Sequence, residues 1–281
     1  TRNNISEVAY NVQTVVDAKH NLLLDYKVTN ENDSRALSGM LRRTKTILGT
    51  TNFTALYDKG YHTGCEIKMA VTSGIDIMVA IPGIASVAPD ANYNMSHFIY
   101  NETNDTYTCP QGQLLITNGN EYQKSKNRNY YTVKHYKTDA CPACPARELC
   151  TKNKKGRLIE RSEFTPYIEQ NKQNIEANPA VYKQRQSIVE HPYGTIKRQW
   201  GFYYVLPKKG IKHASSDVGF MFIAYNLRRL MNILDKDVFK KFLRELCFLF
   251  FNKKAFKTAN KAFRGAFTFL IIPINYFSGA A

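Results

Sequence analysis

The chain has 281 residues, 43% of them hydrophobic, enough for one sizeable core or a core with a small module. Its 39 lysines and arginines face 23 acids, a formal charge of +16, so polyanions are its natural partners and nucleic acid leads them. The most apolar late run, "FTFLIIPINYF", is too short to span a bilayer and contains Pro273, which points to a soluble, intracellular protein without a membrane segment.

No secretory signal opens the sequence, and it begins at Thr1 rather than methionine, so it reads as a piece of something longer. Sequons such as Asn101-Glu102-Thr103 then carry no glycosylation meaning. In "AYNVQTVVDAKHNLLLDYKVTN", Tyr10, Val12, Thr14 and Val16 alternate with other residues, a short turn follows at 18–21, and a second apolar stretch runs from Leu22 to Val28. This predicts a β-hairpin. After "NENDS" a helix is expected over 35–48, with Leu37, Leu41 and Leu48 among basic residues and Gly49 as its stop signal. The stretch "FTALYDKGYHTGCEIKMAVTSGIDIMVAIPG" reads as a strand ending at Tyr57, a Gly60 turn, a helix capped by Thr63 with Glu66 three residues later, and a strand over 75–81. That βαβ unit places Asp58 at the carboxyl end of a parallel strand, where open α/β sheets hold their ligand chemistry.

Beyond it Asn, Thr, Tyr and Lys rise and apolar runs fade, which marks residues 83–165 as an inserted module between a first part, 1–82, and a second part, 166–236, of one catalytic domain, with a helical tail over 237–281. A helix starts after Asn178-Pro179, and another spans 216–234 with Phe220, Ala224, Leu227, Met231 and Leu234 at core spacing and Arg228 and Arg229 toward solvent.

Cys109, Cys141, Cys144 and Cys150 fall in the module, the middle two as a CxxC whose tight turn can aim two thiolates at one ion. So polar a segment buries little core, and a structural zinc would supply its folding free energy; free reduced thiols or redox chemistry are the alternatives. Cys65 and Cys247 read as ordinary buried cysteines. Asp58 and Glu190 are the candidate magnesium carboxylates, since this ion prefers hard oxygens together with water and phosphate. Glu190 sits on a helix amid cations able to hold phosphates.

The stretches "AYNVQTVVDAKHNLLLDYKVTN", "ALYDKGYHTGCEI" and "YKQRQSIVEHPYGTIKRQWGF" resemble, in that order, the DDE transposases of bacterial insertion sequences, in the subgroup with a cysteine-bearing insert. The resemblance implies an α/β fold with an RNase H-like mixed sheet and flanking helices, interrupted by the insert. It implies DNA transposition by two-magnesium cutting and joining of transposon-end DNA, a homodimer on double-stranded transposon ends and target, and a bacterial, nucleoid-associated cytoplasmic location. Asp58 matches the second acid and Glu190 the third. Tyr182, Arg185, Glu190 and Lys197 match the helix signature in order, with Arg185 one residue further from Glu190 than usual, so that Lys183 or Gln186 falls nearer.

The family's first Asp lies on a strand that the two opening strands do not supply. They align with its second and third strands, which places the first strand and its Asp upstream of Thr1 and predicts impaired cleavage; Asp17 and Asp25 are the possible substitutes. Lys197, Arg198, Lys208, Lys209 and Lys212 are expected near the DNA backbone, each against the alternative of a solvated surface charge. A non-catalytic, zinc-containing DNA-binding remnant is the rival reading, and a bare magnesium nuclease a lesser one.

Overall fold

The structure, a computed structural model, describes residues 10–83, 88–126, 129–203, 205, 210–251 and 276–280. It divides into two compact units, one formed by Thr1–Ile81 with Tyr167–Ala281 and the other by Pro82–Pro166. In the first unit β1 (Asn11–Asp17) and β2 (Leu23–Thr29) form the expected hairpin, followed by α1 (Leu37–Leu48), β3 (Thr54–Tyr57), α2 (Gly64–Thr72) and β4 (Asp76–Val79). The period-two pattern sends Val15 to one face of the sheet and Val16 to the other, each into its own core. Gly49 ends α1 at φ 68°, a left-handed cap that glycine adopts without steric cost. Thr63 caps α2 without a side-chain hydrogen bond, and the Glu66 side chain does not return to it. Its carboxylate accepts the Ser38 N–H at 2.7 Å and so caps α1, where an anion is favoured at a helix N-terminus.

The second unit holds β5 (Ile99–Asn101), β6 (Thr106–Thr108), β7 (Leu114–Lys126), β8 (Asn129–Lys137), the short α3 (Arg147–Cys150) and β9 (Ile159–Ser162). The strands form one antiparallel sheet in sequence order. Contrary to the expectation of a core-poor insert, Phe98, Tyr107, Leu115, Tyr136 and Ile159 are buried together. Tyrosines supply much of that core, and their hydroxyls require partners. Asp105 accepts hydrogen bonds from the hydroxyls of Tyr100 and Tyr136 and from Lys134 Nζ. Arg161 lies 3.7 Å from the Tyr100 ring centroid and donates to the Tyr107 hydroxyl.

The chain then forms α4 (Thr165–Ala177), α5 (Pro179–Tyr193), a π-helical turn over Gly194–Gln199, α6 (Ile211–Ile233), α7 (Lys236–Phe251) and β10 (Tyr276–Ala280). The first unit's sheet has the order β2-β1-β10-β3-β4. β10 therefore fills the position between the hairpin and the parallel pair, antiparallel to β1 and parallel to β3. The tail is thus helix and strand rather than helical throughout.

α1, α2 and α4 cover one face of this sheet, with Leu37, Met40, Leu41 and Ile67 buried; each such side chain is worth about 1.5–3 kcal/mol of transfer free energy. On the other face α5 and α6 pack Ile188, Ala214, Val218, Phe222 and Tyr225 against Val16, Leu23 and Val28. The expected core stripe of α6 is rotated: Phe220, Leu227 and Met231 are exposed, and Arg229 donates to the His20 carbonyl rather than facing solvent. Cys65 is half-buried and Cys247 exposed, so neither is an ordinary core cysteine. Among the described residues no helix is long and apolar enough to cross a membrane.

Candidate active site at the carboxyl edge of the sheet

β3, β10 and β4 run parallel, so their carboxyl ends share one edge, and Asp58 is the first residue past β3. It opens a tight turn over Lys59–Tyr61, its Oδ1 accepting the Lys59 N–H at 2.6 Å. Gly60 keeps this turn close to a neighbouring acid, since a Cβ there would lie 3.3 Å from Asp33 Oδ2. Asp33 is in turn held by Asn11 Nδ2 at 2.7 Å and Gln13 Nε2 at 3.3 Å. The Gln13 side chain is buried, and its Oε1 lacks a hydrogen-bond partner among the described residues. Tyr61 is buried beneath the turn; burial raises its phenol well above the usual range, and Asp33 and Asp58 add to the shift. Asp33 thus joins the same edge, a placement that a polar linker such as "NENDS" does not disclose.

α5 brings the second set of groups to the edge. The Tyr182 hydroxyl donates to the Tyr57 carbonyl at 3.4 Å, and Arg185 Nη2 lies 3.8 Å from Asp58 Oδ1. Burial raises the Tyr182 phenol, an effect that Arg185 opposes. Arg185 therefore pairs with Asp58, while Gln186 Nε2 donates to Glu190 Oε1 at 2.8 Å. Pro192 does not break the helix, which passes into the π-helical turn. Lys197 Nζ stands 5.0 Å from the Tyr193 ring centroid. Burial pushes the Tyr193 phenol up to about 12, and its hydroxyl meets Thr14 Oγ1 at 3.0 Å.

The two carboxylates share one property. Asp58 has Oδ1 engaged, Glu190 has Oε1 engaged, and the second oxygen of each has no hydrogen-bond or ion-pair partner among the described residues. Open carboxylate oxygens suit a hard cation. Among the described residues, however, no group of three or more His, Cys, Asp or Glu is gathered closely enough to hold a metal ion.

Neither suggested substitute for the first acid reaches this edge. Asp17 ends β1 at the opposite end and accepts the N–H groups of Lys19 and His20. Asp25 lies within the edge strand β2, bonded to Arg43 at 2.5 Å. Arg198 and Lys212 are exposed, and Lys208 and Lys209 lie outside the described residues.

In the other unit Cys109, Cys141, Cys144 and Cys150 are half-buried free thiols lining one small pocket with Phe98, Leu115 and Arg157. Burial pushes the Cys150 thiol up; Arg157 opposes this, and the other three cysteines add to it. Gly156, at φ 92°, packs against Cys141 so closely that a Cβ would lie 2.2 Å from the cysteine Cβ.

Residues 108–231 match the family model described as the transposase DDE domain. The match includes α5 with Tyr182, Arg185 and Glu190, and the four pocket cysteines, but not Asp58. No curated protein and no solved structure matches the chain. The family match supports a DDE transposase, and the mixed sheet with flanking helices is compatible with an RNase H-like fold.

Proposed function

We propose that the chain is the catalytic domain of a bacterial insertion-sequence transposase that cleaves and joins transposon-end DNA. The observation that carries this reading is Arg185 against Asp58: it ties the helix of Glu190, inside the family match, to the acid at the carboxyl end of a parallel strand. Asp58 and Glu190 would hold magnesium through their open oxygens. Two such ions, when bound, supply Lewis-acid activation of the attacking water or 3′-hydroxyl and of the scissile phosphate. Arg185 balances the Asp58 charge, and Lys197, Arg198 and Lys212 meet the DNA backbone.

Tyr276–Ala280 carries no acid in the strand position where the resemblance places the first Asp. Cleavage is therefore slower than with a complete acid set. The same feature favours a second reading, a non-catalytic DNA-binding protein. Incubating the protein with transposon-end duplexes and magnesium separates the two: Glu190→Gln and Asp58→Asn should each abolish cleavage and strand transfer while DNA binding survives. Binding without cleavage in the unsubstituted chain would support the second reading. The four pocket thiols have the number and softness for a structural zinc but are not gathered closely enough to hold one as they stand, so zinc there would require them to draw together; a nucleoid-associated homodimer is the working form.

A further inference from the structure

Asp25 is a buried acid that the proposed chemistry leaves unused. It is 9% exposed on an edge strand, burial raises its carboxyl above the usual range against the pull of Arg43, and its Oδ2 has no hydrogen-bond partner among the described residues. It pairs with Arg43 Nη2, and the same nitrogen donates to the Tyr26 carbonyl at 3.2 Å. The guanidinium is thus fixed by one nitrogen. Its Nε and Nη1 have no protein acceptor among the described residues, and half of the side chain is in water. Lys27, Arg35 and Arg42 line the same concave surface of about 700 Å³ between β2 and the exposed flank of α1.

We infer that this cleft is a phosphate-backbone binding surface for duplex DNA, separate from the Asp58 edge, in which Asp25 presets Arg43. A planar guanidinium held in one rotamer loses less entropy on meeting a phosphate than a free one, and its remaining donors suit two phosphate oxygens. Asp25 is then a positioning residue. DNA is the partner that the chain's basic balance and the proposed transposase reading favour, and the inference rests on that reading.

The test is fluorescence anisotropy of a labelled mixed-sequence DNA duplex across a salt series. Arg42→Ala with Arg43→Ala should weaken binding about tenfold or more and reduce the slope of log K against log salt by about 2. Lys27→Ala with Arg42→Ala serves if the first pair fails to fold. Asp25→Asn separates positioning from bulk charge: it removes a negative charge, so tighter binding overturns the presetting role, and weaker binding supports it. DNA binding that is unchanged in both double variants overturns the inference and leaves the transposase reading intact. An unsubstituted chain that ignores DNA overturns both. Capture of polyglutamate in place of DNA marks an acidic-protein site and overturns the inference.

Discussion

Asn171 pairs with both backbone groups of Val79: its Nδ2 donates to the carbonyl at 2.8 Å, and its Oδ1 accepts the N–H at 2.7 Å. Val79 ends the edge strand β4, and a side-chain amide here takes the place of a further strand. Asn226 does the same for Leu23 of β2, the opposite edge. Asn171→Leu should therefore cost about 2–4 kcal/mol, since it leaves a buried donor and acceptor unpaired. Urea unfolding of the two proteins measures this, and a loss below about 1 kcal/mol would show that water replaces the amide.

The Asp105 carboxyl is held down to about 2, first by the hydrogen bond from Tyr136, then by that from Lys134. A depressed folded-state value means stability that is present above the unfolded value of 3.8 and lost as pH falls toward 2. The sheet of residues 82–166 should weaken through that window, and Asp105→Asn should flatten the dependence. Amide exchange of β7 and β8 followed against pH checks it.

Arg185 competes with any cation that Asp58 binds. Removing a positive charge 3.8 Å away should raise divalent affinity at Asp58 a few-fold, a modest gain because the carboxylate is 42% exposed and well screened. Manganese titration of Arg185→Gln, followed by electron paramagnetic resonance, reads this directly. Glu190→Gln should move the affinity the other way.

If the four pocket thiols hold zinc, the purified protein should carry one ion per chain. Chelation should release it, make Cys109, Cys141, Cys144 and Cys150 reactive to thiol reagents and destabilise the unit formed by Pro82–Pro166. Thiols that react fully with no metal released would instead mark a reduced, metal-free cluster.

The parts of the fold legible from sequence are those with a local signal. Alternation at Tyr10–Val16, the glycine at 49 and the β3–α2–β4 pattern locate the hairpin, the stop of α1 and the edge where Asp58 sits. Tertiary competition hides the rest. Glu66 satisfies the local capping pattern, yet its carboxylate serves Ser38 of another helix. α6 is apolar on more than one face, so helical spacing alone does not choose between the Phe220 and Phe222 stripes, and the sheet takes the latter. The core of residues 82–166 escapes a search for aliphatic runs because tyrosine carries it. Asp33 is held at the site by long-range bonds from Asn11 and Gln13.

The strand at Tyr276–Ala280 also constrains how the molecule is made. Ribosomal synthesis delivers β1 and β3 early, yet the strand that joins them follows every other described element. Until it emerges, the nascent chain carries two open strand edges that face one vacant place, and the whole 82–166 unit is produced before that place is filled. Such distant pairing is slow to form, and unpaired edges recruit strands from neighbouring chains. The interval before the central strand arrives is therefore when the nascent chain is most open to such mispairing.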